Sequence, residues 1–198
     1  MNFYSDQIVN SIIDQEPLEE IVDKIDVFWL QTKYIMTRYS MNSIYHRYVD
    51  GILEDPKIVV VYHCLDQNNF DVYNCPSVLV YRKVRDSRRA AGASEASVRS
   101  RRDVGFIYYI LFTCTKKAFR GQGYGSRLLD GLQDRIRKEN MNNIPQKIVC
   151  SSVEDAVTFY EDYGFHWTRK SIKGYPILMK YESYQEGKEY FIMEKEVR

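Results

Sequence analysis

The stretch Arg120-Gly121-Gln122-Gly123-Tyr124-Gly125-Ser126 constrains this 198-residue chain more than any other. It follows an apolar run, Phe106 to Thr115, whose β-branched and aromatic content predicts a strand. It leads into a segment from about Tyr124 to Glu139 in which Leu128, Leu129, Leu132 and Ile136 recur at helical spacing. Three glycines at alternate positions leave the backbone bare where that helix begins. Successive N–H groups can then turn into one concavity, reinforced by the positive end of the helix dipole. Arg120 adds a fixed charge with bidentate geometry. Such a turn is either a di- or pyrophosphate cradle or a pliant connector, and the glycines alone do not decide between them. The spacing does exclude two other phosphate loops. No Lys-Ser or Lys-Thr follows, as G-x-x-x-x-G-K-[ST] requires, and G-x-G-x-G is not the dinucleotide pattern G-x-G-x-x-G.

The remainder of the chain predicts a single mixed α/β domain around this turn. Residues 1–55 read as helices. Ser5 caps a segment with Ile8, Val9, Ile12 and Ile13 on one face, and Pro17 opens a second whose stripe is Leu18, Ile21, Val22, Ile25, Phe28 and Trp29. A third pattern, Ile44, Tyr45, Tyr48, Ile52 and Leu53, ends before Asp55-Pro56. Beyond Pro56 the period changes, and Ile58 to Cys64 and Val78 to Val84 predict two strands. A strand is expected at Lys147 to Cys150, then a short helix from about Val153 to Tyr163 stopped by Gly164. Two closing strands, Ile177 to Tyr181 and Tyr190 to Val197, are expected around a turn at Gly187. Residues 85–103, rich in Ala, Ser and Arg, offer nothing to a core and predict a mobile surface loop.

At 44% hydrophobic and 14% aromatic the chain can bury a real core, which excludes a disordered tail, a collagen-like fibre or a small disulfide scaffold. Cys64, Cys75, Cys114 and Cys150 contain no C-x-x-C pair, and His46, His63 and His166 lie far apart, so no metal site is expected. Asp6 and Asp14 argue against a secretory signal, and no apolar stretch reaches the ~20 residues that span a bilayer. These features predict a soluble intracellular protein, cytoplasmic or nuclear, with no membrane partner. The formal charge of +1 is a sum of unlike parts. Residues 82–102 hold eight basic and two acidic side chains, net +6, while the other 20 basic and 25 acidic residues net −5. Nucleic-acid binding is therefore not expected outside that one segment.

The turn resembles the acetyl-CoA-binding motif [Q/R]-x-x-G-x-[G/A] of the GNAT superfamily, the GCN5-related N-acetyltransferases, with Arg120, Gly123 and Gly125 at every fixed position. The family's second signature, A-x-x-x-Y-x-x-x-G-F, is matched by Ala156, Tyr160, Gly164 and Phe165. The resemblance covers about residues 56–198, with the N-terminal helices matching the family's first two. It implies a GNAT-type domain: a central, mixed, mostly antiparallel sheet flanked by helices, with acetyl-CoA in the splay after the central strand. Phe112-Thr113-Cys114-Thr115-Lys116 is also similar to the strand end of histone-acetyltransferase-like members.

What the resemblance implies is transfer of acetyl from acetyl-CoA to a primary amine, with no metal. Thr113, Cys114 and Thr115 would lie along the pantetheine arm, and a backbone N–H near Thr113 would serve the thioester as an oxyanion donor. Arg120, Gly121, Gln122, Gly123, Tyr124, Gly125 and Ser126 would hold the pyrophosphate. Tyr160 matches the tyrosine that protonates the leaving thiolate. No His–Cys pairing supports a covalent route through Cys114. Two positions depart from the family. Val153 replaces an asparagine, leaving Ser151 or Ser152 to supply that hydrogen bond, and Tyr109 stands where histone-acetyltransferase-like members carry a basic glutamate. A water chain, Tyr108, Tyr109 or an acid from a loop would then take the amine's proton. The acceptor expected is a protein lysine; the alternatives are a small amine, or a non-catalytic acyl-CoA-binding module.

Overall fold

The computed structural model describes residues 2–4, 30–38, 46–63, 65, 74–86, 105–141, 143–181 and 189–198. The two N-terminal helices expected from Ser5 to Trp29, the turn at Gly187 and nearly all of the Arg-rich segment lie outside these residues. Among the described residues seven strands form one sheet in the order β1-β2-β3-β4-β5-β7-β6. They are β1 (Asn2–Tyr4), β2 (Ile58–His63), β3 (Ser77–Arg85), β4 (Phe106–Thr115), β5 (Gln146–Ser152), β6 (His166–Trp167) and β7 (Phe191–Val197). The helices are α1 (30–38), α2 (His46–Leu53), α3 (Tyr124–Glu139), α4 (Val157–Asp162) and α5 (Pro176–Tyr181). Strand β4 runs parallel to β5, whereas β1 with β2, β5 with β7 and β6 with β7 are antiparallel. This is the mixed, mostly antiparallel sheet that the family resemblance implies.

The chain clusters into two compact units, residues 1–81 with 111–129, and residues 82–110 with 130–198. In the first, β2 and β3 bury Ile58, Val60, Val61, Val78, Leu79 and Val80, and the helices contribute Ile35, Met36, Val49 and Ile52. The Tyr62 hydroxyl donates to Thr32 Oγ1 at 2.8 Å, and Lys33 pairs with Asp50 at 2.6 Å. Asp55 shapes the entry to β2, its carboxylate accepting from the Lys57 N–H at 3.0 Å.

In the second unit the β4–β5 ladder places Tyr108 opposite Ile148 and Ile110 opposite Cys150. These residues are buried with Leu132 and Ile136 of α3 and with Ile192 and Met193 of β7. The end of α3 is tied down by Glu139, which pairs with Lys83 and Arg135, each at 2.7 Å, and accepts from the Tyr108 hydroxyl at 3.3 Å.

One expectation is corrected. Ile177 to Tyr181 is not a strand but part of helix α5, Pro176–Tyr181. Pro176 takes the first helical position, where a missing N–H costs nothing and φ is already set. The Met179 N–H donates to the Tyr175 carbonyl at 3.0 Å, and Leu178 and Tyr181, three apart, are the buried pair. A short apolar run has no period long enough to separate strand from helix. Helix α1 falls within the stretch read as helical, whereas strand β1, in the same stretch, was not foreseen. No described helix is long and apolar enough to cross a membrane.

Candidate active site

The first unit holds ten of the eleven residues singled out in the sequence. Strand β4 ends at Thr115, a 3-10 turn follows at Lys117–Phe119, and Arg120 to Gly123 lead into α3. Two bonds tie down this passage: the Lys116 N–H donates to the Pro76 carbonyl at 2.9 Å, and Arg120 Nε donates back to the Thr115 carbonyl at 3.0 Å. Gln122 folds back likewise, Nε2 to the Ala118 carbonyl at 3.1 Å. Arg120 through Gly123 are exposed, and Tyr124, Gly125 and Ser126 are half-buried.

Gly121 and Gly123 adopt φ of +75° and +78°, and a Cβ built on either meets nothing within 4 Å. Glycine is therefore required there by the backbone conformation rather than by crowding. The first intrahelical bond of α3 runs from the Arg127 N–H to the Gly123 carbonyl at 3.0 Å. The N–H groups of Tyr124, Gly125 and Ser126 thus have no intrahelical acceptor. Open space beside two left-handed glycines, followed by three such donors at a positive dipole end, is an arrangement that can seat an anion.

Along the last residues of β4, Cys114 is buried and Thr113 and Thr115 are half-buried. Thr113 Oγ1 is buried without a hydrogen-bond partner. Burial pushes the Cys114 thiol up to about 12, against the smaller opposing pull of Arg120 and Lys116. At neutral pH it is therefore not a nucleophile.

Sequence reasoning missed His63, whose ring lies 5.1 Å from that of Tyr124. The Arg127 guanidinium sits 5.1 Å from the same Tyr124 ring. Burial first, and then the charge of Arg127, lower the His63 pKa, so it is neutral at pH 7, with Nδ1 buried and unpartnered. Nothing in the local sequence around His63 announces this contact, which depends on strand order.

Tyr160 belongs to the second unit. It lies on α4 and is 7% exposed, its ring meeting Phe159 and Phe165 edge-on at 5.2 and 5.3 Å. Helix α4 closes with the Gly164 N–H donating to the Glu161 carbonyl at 2.8 Å and the Phe165 N–H to the Tyr160 carbonyl at 2.9 Å. Gly164 has φ +87°, so this is a Schellman end with its apolar contact between Tyr160 and Phe165. The spacing Tyr-x-x-x-Gly-Phe is thus a device for fixing the tyrosine. The helix is anchored further by Tyr163, whose hydroxyl bonds to Asp130 and to Gln133, and by Lys195, which donates to the Tyr163 carbonyl at 2.6 Å. A second residue the sequence did not flag is Cys150, 2% exposed, whose thiol is pushed up by burial, the Tyr160 side chain opposing that rise.

Of the departures, the Ser152 hydroxyl bonds to the Val153 carbonyl at 2.9 Å. Tyr109 is buried, opposite Val149 in the ladder. Tyr108 spends its hydroxyl on Glu139. Among the described residues no group of three or more His, Cys, Asp or Glu side chains is placed to hold a metal ion.

Residues 81–178 match the family model described as an acetyltransferase (GNAT) domain. Among solved structures, the chain is similar to Tetrahymena GCN5 at 13% identity, covering 86% of this chain and 87% of that one with a TM-score of 0.53. It is also similar to Arabidopsis thaliana NAA60 in complex with acetyl-CoA, at 11% identity, covering 85% and 91% with a TM-score of 0.53. Likeness at such identities establishes a shared fold. No curated protein sequence matches the chain.

Proposed function

We propose that the chain, whose residues 81–178 match the acetyltransferase (GNAT) domain model, is an acetyl-CoA-dependent N-acetyltransferase whose acceptor is a lysine side chain of a protein, which attacks the thioester directly in a ternary complex. The observation that carries the reading is the turn at 120–126. Its open, left-handed glycines and the three helix N–H groups without intrahelical acceptors suit the pyrophosphate of coenzyme A. Arg120, held by the Thr115 carbonyl, adds charge at its edge. The backbone of Thr113, Cys114 and Thr115 takes the pantetheine arm, and the buried, unpartnered Thr113 Oγ1 is a polar atom such a ligand satisfies. An N–H near Thr113 steadies the charge that develops on the carbonyl oxygen. Tyr160 gives its phenol proton to the departing thiolate.

The choice of a protein lysine rests on two supports. The β4 end, Phe112 to Lys116, resembles that of histone-acetyltransferase-like members, and the chain outside residues 82–102 is acidic, which favours a cationic acceptor. The test is coenzyme A release, with mass spectrometry of products, over lysine peptides, α-amino peptides, polyamines and aminoglycosides. Lysine peptides are expected to carry the highest kcat/KM. Gly123→Glu and Arg120→Ala are expected to raise KM for acetyl-CoA by about tenfold or more, as loss of a charge-assisted contact does. Equal turnover by all three proteins overturns the cradle, and exclusive acetylation of free small amines overturns the acceptor.

A further inference from the structure

The first turn of α3 breaks the charge rule for helices. Acidic side chains belong at the positive, N-terminal end of the dipole and basic ones at the other. Here the first turn, Tyr124 to Arg127, carries no acid and one arginine, while Arg137 and Lys138 occupy the last turn as the rule expects. The stretch 111–129 around the cradle holds Lys116, Lys117, Arg120 and Arg127 and no acidic residue. The later arginines of α3 are neutralised by carboxylates on the same helix, Arg135 by Glu139 at 2.7 Å and Arg137 by Asp134 at 3.1 Å. Arg127 is exposed and has no ion pair among the described residues. Its guanidinium lies instead 5.1 Å from the Tyr124 ring. That ring is braced by Phe119, edge-on at 5.8 Å, and by His63 at 5.1 Å. The two arginines lean to different sides of the turn. Arg120 is bonded to the Thr115 carbonyl at the end of β4, whereas the His63 that braces the platform of Arg127 closes β2, two strands away in the sheet.

We propose that Arg127 is a specificity-determining residue that pairs with a second phosphate group of the cosubstrate, the monoester on the ribose of coenzyme A, and so selects coenzyme A over its dephospho form. The proposal rests on the reading of the turn as the seat of the pyrophosphate. On that reading pantetheine runs along Thr113 to Thr115, on the side of Arg120. The nucleotide end of the molecule then leaves on the other side, where Arg127 stands. A phosphate monoester there carries about −1.5 to −2 charges at pH 7 and offers three acceptor oxygens. A guanidinium meets two of them with its fork, as parallel N–H donors. Stacking on Tyr124 restrains the arginine while leaving its N–H groups unspent, so less freedom is lost when the phosphate binds. The bound charge also supplies the negative group that the start of α3 lacks.

The experiment measures Kd by isothermal titration calorimetry for coenzyme A and for dephospho-coenzyme A, two ligands that differ only in that phosphate. Wild type, Arg127→Ala and Arg127→Lys are compared, each checked by thermal melting. Wild type is expected to bind coenzyme A about tenfold or more tighter than the dephospho form, as a charge-assisted pair does. Arg127→Ala is expected to lose that factor for coenzyme A while its Kd for the dephospho form stays at the wild-type value. Arg127→Lys, a point charge without the fork, should keep part of the discrimination. The ratio of KM for acetyl-CoA to KM for its dephospho form should move in step. Failure of wild type to bind either ligand overturns the seat at 120–126 and the proposal with it. Tight and equal binding of the two by wild type overturns the proposal alone. So does an Arg127→Ala protein that keeps the wild-type ratio, or one that weakens for both ligands alike, since Arg127 would then support the turn rather than read the phosphate.

Discussion

A glycine at φ +78° with nothing within 4 Å of its missing Cβ isolates one physical effect, because a methyl group there clashes with no neighbour and only twists the chain. Gly123→Ala therefore pays the left-handed penalty of about 1–2 kcal/mol, or relaxes the turn and re-aims the N–H groups beyond it. The expected outcome is a lower melting temperature together with a higher KM for acetyl-CoA, measured by calorimetry and steady-state kinetics. Gly174 is the control, since it also has open space around it but no left-handed φ. Gly174→Ala should leave both quantities unchanged. Cys114 makes a second test at this scale. A thiol held at about 12 is thiolate in only roughly one molecule in 10⁵ at pH 7. Cys114→Ala should retain wild-type kcat, and intact-mass analysis after incubation with acetyl-CoA should find no acetyl-thioester on Cys114. Either a lost turnover or such an adduct would revive the covalent route.

At the scale of elements, legibility tracked how much chain a pattern had in which to repeat. Helix α3 was readable from end to end because Leu128, Leu129, Leu132 and Ile136 sample more than two turns, and a glycine-rich stop precedes it. Helix α5 was misread because six residues sample less than two turns and Ile, Leu and Met suit either state. Strand β1, three residues long, carried no period at all. The site divided in the same way. The cradle and Tyr160 are local motifs, whereas His63 and Cys150 acquire their neighbours only through strand order and pairing. The clamp at the end of α3 is likewise non-local, and it carries a pH signature. Burial raises the Glu139 carboxyl, but hydrogen bonds and charge from Lys83 and Arg135 outweigh it and leave the pKa below its ordinary value. A carboxyl depressed in the folded state stabilises the fold above its unfolded pKa, and that stability is lost as pH falls through the folded value. The wild-type melting temperature should therefore exceed that of Glu139→Gln at pH 6, with the gap closing on acidification below about pH 4. A gap independent of pH would mean that packing, not the ion cluster, holds the helix end.

For the molecule as a whole, the decisive quantity is the separation of charge that the formal +1 conceals, with +6 in residues 82–102 and −5 over the rest. On the proposed reading the protein takes up an anion and a cation in one cycle. On that reading acetyl-CoA is met at contact distance by the helix N–H donors and Arg120, so its capture depends little on the long-range field. A lysine peptide, as the proposed acceptor, arrives from solvent and responds to the net negative charge of the chain outside residues 82–102, through interactions that salt screens beyond about 8 Å at 0.15 M ionic strength. These two dependences separate experimentally. For peptides with one acceptor lysine, flanking Arg residues should raise kcat/KM over flanking Glu residues, and added salt should narrow the difference. KM for acetyl-CoA should change much less over the same range. Neutralising Arg88, Arg89, Arg99, Arg101 and Arg102 to Gln should widen the preference for basic flanks, because the remaining surface then acts unopposed. A peptide preference indifferent to salt would place acceptor choice in short-range contacts, and a narrowed preference after neutralisation would place an acidic docking site on the arginines instead.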